Sequence, residues 1–188
     1  MSTPVGHTLF GWIIGSHRKH SGTRSTFFLF LAVFVFSNLP DMDLLFGLPS
    51  GNPNQYHHMW THSIGFALLW GVLAGLVVRI LNHQHSLKIG FFVFLLILSH
   101  LTLDFFTLDK SAPYGMQLFW PVTEQYFLSP VTIFRDVYKA SDSQLFLSSL
   151  FCLHNVYTIL FEIVILLPVY ICIQLVRWIR GPRNNQLA

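Results

Sequence analysis

Carboxylates and imidazoles recur along this chain at spacings that suit a divalent cation. Asp41 and Asp43 lie in Leu39-Pro40-Asp41-Met42-Asp43. Pro40 fixes the turn that presents them, and two carboxylates two residues apart can share one ion. His57, His58 and His62 fill the following stretch, Tyr56-His57-His58-Met59-Trp60-Thr61-His62-Ser63. His100 and Asp104 stand four residues apart inside an apolar run, so on a helix they project from one face and can approach one ion. Ionisable groups within such a run are costly and mark a function or a specific pair. Glu124 follows in Trp120-Pro121-Val122-Thr123-Glu124. A mixed nitrogen and oxygen set of this kind suits zinc ahead of manganese or iron, as one or two ions. Zinc held by neutral imidazoles and carboxylates lowers the pKa of its bound water to near neutrality, and a neighbouring carboxylate can then shuttle the proton. On this reading Asp41, His57, His62, His100 and Asp104 are ligands, and Asp43 and Glu124 are acid or base candidates.

Each residue also has a plainer reading. Asp41 or Asp43 could end a helix at the headgroups, and a single interfacial histidine is commonly a hydrogen-bonded anchor, an alternative that His58 keeps open. Glu162, in the last apolar run, could orient His100 or pair with a Ser or Thr across the bundle. His17, His20, His83 and His85 stand near basic residues and carry no expectation of chemistry.

The elements that must position these groups are apolar helices. Of 188 residues, 53% are hydrophobic and only 10% charged, well below the quarter or so that keeps a soluble domain wet. Four segments reach the length of about 20 residues that a bilayer requires: Thr26 to Phe46, Ile64 to Asn82, Ile89 to Thr107 and Asn155 to Trp178. Val5 to Gly15 is shorter and interrupted by Gly6, Gly11 and Gly15, as a re-entrant or interfacial helix would be. The expected fold is an all-α polytopic membrane protein with about four transmembrane helices plus that short N-terminal helix, in a single integral membrane domain over 1–188. Met1 to Ser16 has no basic n-region, so it is expected to stay in the mature protein. Cys152 and Cys172 have no metal-binding or redox spacing and read as small apolar packers.

The +3 charge is scattered with no basic stripe, which argues against a nucleic-acid partner; the expected partner is the lipid bilayer. Arg18, Lys19, Arg24, Arg79, Lys88, Arg177, Arg180 and Arg183 fall on one side of the expected spans, and Lys110, Arg135 and Lys139 on the other. That asymmetry places the C-terminus in the cytoplasm and the polar cluster outside. The segment from Asp109 to His154 then forms an outer lid with helical patches such as Val131 to Tyr138.

Taken together, the Leu39-Pro40-Asp41-Met42-Asp43 motif, the element ending Thr61-His62-Ser63, the His100–Asp104 pair, an early His7 followed by Gly11, and the stretch from Gly115 to Pro121 resemble the YdjM-type family of predicted membrane-bound metal-dependent hydrolases of bacteria. The likeness spans nearly the whole chain. It implies an inner-membrane location, a hydrolase using metal-activated water, and a place for His7 among the ligands. In that family the histidine element usually reads His-Arg-Gly-x-Thr-His-Ser, and here His58 and Met59 stand in place of Arg and Gly. A weaker likeness, in the order His7, Asp41, His62, His100, Asp104, reaches the zinc-dependent phospholipase C and nuclease group. It would favour a phosphoester substrate, for example in a lipid headgroup. His7 joins the site only if the N-terminal helix reaches the outer face. The rival readings are an ion or proton-coupled transport protein and a structural membrane protein with a metal staple. A proton relay would spread its groups through the membrane depth, whereas these gather at one face, Glu162 excepted.

Overall fold

Thr3 begins the first helix: its side chain accepts from the Gly6 N–H at 3.1 Å, and Pro4 takes the first helical position, where a missing N–H costs nothing. A computed structural model describes residues 1–16, 22–81, 84–110 and 113–180. His17, Arg18, Lys19, His20, Asn82, His83 and Arg183 lie outside them. The α-helices are α1 (Pro4–Gly15), α2 (Thr23–Ser37), α3 (Leu44–Gly47), α4 (Ile64–Ile80), α5 (Ser86–Phe105), α6 (Ser143–Leu150) and α7 (Leu153–Arg180). Among the described residues there is no β-strand, only isolated bridges joining Thr107 to Phe134 and Met116 to Phe127.

The protein is thus all-helical, and its outer faces suit lipid. Phe27, Phe28, Phe34, Leu68, Val72, Val77, Val156 and Val164 all point outward, an apolar surface too large for water to cover. Among the described residues two single helices are long and apolar enough to cross a membrane, α5 and α7, and the bent pair of α2 with the segment to Gly47 would make a third; over half of α5 is buried while α7 buries little. α4 is apolar but has 17 residues.

The first expected span is broken. α2 ends at Ser37, and a 3-10 turn, Pro40–Asp43, leads into α3, with the axis bent by 53°. Pro40 has no N–H to continue the α-helical ladder. The break lifts Asp41 and Asp43 out of the helix and turns them toward the other elements.

The expected helical patch at Val131 to Tyr138 is irregular instead, with one isolated bridge at Phe134. The backbone N–H groups of Ile133 and Phe134 donate to the Phe106 carbonyl at 2.8 and 3.1 Å, and Leu108 donates back to Phe134 at 3.0 Å. Those exchanges replace the internal bonds that a helix would have used. The lid's helix is α6, which Asp142 caps by accepting from Gln144 N–H at 2.7 Å.

α4 and α5 form a tight hairpin around glycines. A Cβ on Gly90 would stand 2.6 Å from the Gly71 carbonyl oxygen, whereas one on Gly75 would meet nothing closer than 3.4 Å. Small residues let two membrane helices approach to backbone contact. Because the hairpin is antiparallel, His62 at the start of α4 comes level with His100 near the end of α5. α1 is inserted among α2, α5 and α7 rather than laid outside them.

Gly90→Ala should therefore lower the thermal stability of the detergent-solubilised protein, by about 1–3 kcal/mol for a forced overpacking. Gly75→Ala should stay within about 1 kcal/mol of the wild type, since it adds helix propensity without a clash.

Candidate metal centre

Three elements converge on one point at the lid end of the bundle: the Pro40 turn brings Asp41, the 3-10 turn Trp60–His62 brings His62, and α5 brings His100 and Asp104. His62 Nε2 lies 3.5 Å from Asp41 Oδ1, 3.5 Å from Asp104 Oδ2 and 3.2 Å from His100 Nε2. His100 Nε2 lies 3.6 Å from Asp41 Oδ1 and 3.2 Å from Asp104 Oδ2. Nitrogen and oxygen ligands about 2.0–2.1 Å from a tetrahedral zinc stand about 3.3–3.4 Å from one another. These spacings fit such a cage, and the group can hold a metal ion.

The ring orientations agree. His100 Nδ1 is 2.7 Å from the Ser37 carbonyl oxygen, which fixes Nδ1 as the protonated nitrogen and leaves the Nε2 lone pair facing the cluster. His62 Nδ1 faces Asp43 Oδ2 at 3.2 Å, with the same result. Asp43, 1% exposed, is fully engaged: Thr61 Oγ1 donates to Oδ2 at 2.7 Å and His57 Nδ1 meets Oδ1 at 3.0 Å. Its carboxylate orients two histidines and does not face the centre as an acid or base would. Apart from the Nε2 atoms of His62 and His100, which meet each other, most atoms that face it lack hydrogen bonds. His7 Nδ1 and Nε2, both oxygens of Asp41, Asp104 Oδ2, His57 Nε2 and His58 Nε2 are buried without a partner.

His7 does reach the site. Its ring stacks on His100 with centroids 3.7 Å apart, and its Nε2 lies 3.4 Å from Asp104 Oδ1 and 3.9 Å from Asp41 Oδ2. α1 is held there at both ends. Ser2 N–H donates to Asp104 Oδ1 at 2.6 Å, and both the N–H and the hydroxyl of Thr3 donate to Glu162. Gly6 is needed because a Cβ would run into the Glu162 carboxylate. At the far end Arg177 donates to the Ser16 carbonyl at 2.7 Å, a cation on a helix C-terminus. Glu162 therefore docks α1 through Thr3, the Ser/Thr pairing that its sequence had left open, and does not orient His100.

His57 lies outside the four-residue cage and belongs with His58 and His62 to an adjoining histidine group. Burial holds the imidazoles of both His57 and His58 well below the ordinary histidine range, helped for His57 by Lys139 and for His58 by His57, so both are neutral. His62 goes the other way: burial would lower it, but Asp43 and the nearby carboxylates of Asp104 and Asp41 keep it well above that range, so its Nε2 holds a proton that a bound cation would displace. Glu124 is not brought in. Its side chain is exposed, its backbone carbonyl accepts from Gln117, and it pairs with no cluster residue.

Two residues at the site carried little or no expectation. His58 adopts a left-handed φ of 65°, which is uncommon outside glycine, and its ring nitrogens lie 3.9 Å from Asp104 and 3.9 Å from Asp109. Asp109 also accepts from the Gly115 N–H at 2.6 Å, tying the lid to the end of α5. Its position just past the last apolar residues of α5 was the available signal. The cavity of about 730 Å³ between Arg79 and Lys88, at the opposite end of the α4–α5 hairpin, holds none of these groups.

The sequence model of the YdjM inner membrane protein family matches residues 1–180. The chain belongs to that family. This membership and the apolar helices make it a membrane protein. No curated protein and no solved structure matches it, so the likeness to the zinc-dependent phospholipase C group gains no support from them.

If the YdjM cluster is a metal centre, elemental analysis of purified protein should find a divalent metal that His100→Ala and Asp104→Ala lose. Asp43→Asn should retain it with affinity lowered about 10–100-fold, the usual cost of removing a carboxylate behind a ligating histidine. His154→Ala, whose imidazole bonds the Asp136 carbonyl away from the cluster, should match the wild type. Equal metal content in all four would eliminate the site.

Proposed function

We propose that this protein is a membrane-bound metal-dependent hydrolase acting on a phosphoester. The observation that carries the reading is the Asp41–His62–His100–Asp104 cage, buried in an apolar bundle with both oxygens of Asp41 and Oδ2 of Asp104 lacking hydrogen bonds. Buried polar atoms without partners are costly, and a divalent cation would satisfy the carboxylate oxygens of Asp41 and Asp104 together. The donor set of two imidazoles and two carboxylates suits zinc, with His7 beside it as a further ligand. A divalent ion held there would supply an acidified water for hydrolysis only with a coordination shell expanded beyond these protein ligands.

The chain's own residues supply the rest. Ser37, Asp43 and Thr61 fix which nitrogen each ligating imidazole presents. His57 and His58, neutral and each with a free Nε2, are the bases at hand to take a proton, the role once expected of Asp43 and Glu124. Burial beneath the lid keeps bulk water from the cluster: Gln117 N–H donates to the His58 carbonyl, and Ile64 N–H donates to that of Leu118.

The multi-pass topology with the site in the periplasm and the C-terminus in the cytoplasm belongs to this proposal. Arg79 and Lys88 flank the hairpin loop, and Arg177 lies at the far end of α1, all remote from His62 and His100. Positive charge at the end opposite the site is what retention in the cytoplasm favours.

The test is turnover by the purified protein of phosphomonoester, phosphodiester and carboxyl-ester substrates. Hydrolysis of one of the phosphoesters should be abolished by a chelator, restored by zinc, and absent from His100→Ala. Turnover that survives the chelator, or persists in His100→Ala, would refute the metal mechanism.

A further inference from the structure

The Asp41 side of the cluster opens into a cavity of about 600 Å³, a size typical of ligand sites. Its wall is almost wholly apolar, with Phe34 and Val35 from α2, Phe146 and Leu150 from α6 and Ile159 from α7. Its polar groups are few, and most are already used. Thr3 donates to Glu162, and Asn155 exchanges hydrogen bonds with the backbone of Tyr138. Two charged side chains are left. Asp41, nine-tenths buried, has neither oxygen hydrogen-bonded. The ammonium of Lys139 has only the Met1 sulfur, at 3.2 Å, and no carboxylate within ion-pair distance among the described residues.

The cavity does not end there. A second space of about 560 Å³ shares Pro4 and Phe34 with it and continues along α1 past Leu9, Trp12, Phe30 and Leu167. Val5, Phe34 and Leu167 are exposed on this side, so the track opens toward lipid. A cation beside the metal cage, followed by an apolar track leading into the membrane, matches an amphiphile in charge and in polarity order.

We propose that this track binds a membrane lipid with an anionic phosphate headgroup, the phosphate between Lys139 and the metal cluster and an acyl chain along Phe34 toward Trp12. This deepens the hydrolase reading by naming its substrate class. It is tested by binding, so the two can fail separately.

Trp12 provides the readout. Full-length protein is reconstituted in phosphatidylcholine vesicles, and the quenching of tryptophan fluorescence is followed as a lysophosphatidate with a brominated acyl chain is added. Brominated monoacylglycerol serves as the uncharged control, since it reaches every lipid-facing tryptophan equally. The expected result is quenching by the phosphate lipid that saturates at a mole fraction about tenfold below that of the control, the effect of one charge-assisted contact. Lys139→Gln should erase that preference, Lys139→Arg should keep it, and Trp12→Phe should remove the preferential quenching while leaving the common background. Equal quenching by the two lipids would overturn the proposal, as would an unchanged Lys139→Gln. Inorganic phosphate that abolishes the preference at equal concentration would assign Lys139 to a soluble anion and overturn it as well. Preferential binding without any phosphoester turnover would support the lipid track and count against the hydrolase reading alone.

Discussion

The arrangement depends on the price of burying imidazoles and carboxylates where water cannot reach them. A polar atom taken from water into an apolar interior without a partner costs several kcal/mol, and an unpaired carboxylate far more. Here Asp41, Asp104, His7, His57 and His58 each leave such an atom within one small volume. Ordinary cores avoid this by hydrogen-bonding every buried group. A cluster that forgoes those bonds together, while the second nitrogens of His62 and His100 are firmly tied, is shaped for a cation. The tied nitrogens matter as much as the free ones, because an imidazole whose Nδ1–H is committed to the Ser37 carbonyl or to Asp43 can present only the Nε2 lone pair inward.

Bringing these groups together from distant stretches of chain falls to backbone contacts that large side chains would forbid. The close approach of Gly90 to Gly71 sets the register of the α4–α5 hairpin and with it the distance from His62 to His100. Gly6 lets α1 lie against Glu162, and the two Thr3 donors satisfy that buried carboxylate. A titratable group deep in a membrane helix is a natural candidate for a proton relay. Glu162 is instead committed to holding the helix that carries His7, which removes the one residue that set the cluster apart from a fixed site.

Much of this was legible in the sequence, for identifiable reasons. The helices α4, α5 and α7 start and stop within a few residues of the apolar runs, since length and hydrophobicity are what a bilayer selects. His100 and Asp104 were legible as a pair because four residues on a helix leave a single geometry, and their atoms stand 3.2 Å apart. Loops have no such period. Val131 to Tyr138 reads as helical by composition, yet the free backbone groups at the end of α5 recruit it as a non-helical partner. Asp43 and Asp41 look equivalent two residues apart. Only the 3-10 turn decides that one faces the centre while the other turns to His57, Thr61 and His62. The position of His58 depends on a left-handed backbone that residue type does not announce.

The placement of the cluster at the lid end follows from the same electrostatics. A cation and its carboxylates at mid-membrane would lose hydration with little to replace it, whereas at the helix ends the site can be capped by backbone. The lid does this: its N–H groups reach the His58 carbonyl and the end of α5, and Asp109 receives Gly115. The lid covers the cluster at the helix ends, while the bend after Ser37 opens it sideways, since turning Asp41 out of α2 leaves a gap bounded by Phe34, Val35 and α7. A straight first helix would have filled that gap and carried Asp41 away from His62. The break at Pro40 therefore accounts for two features together, a carboxylate in the cage and an apolar passage leading to it.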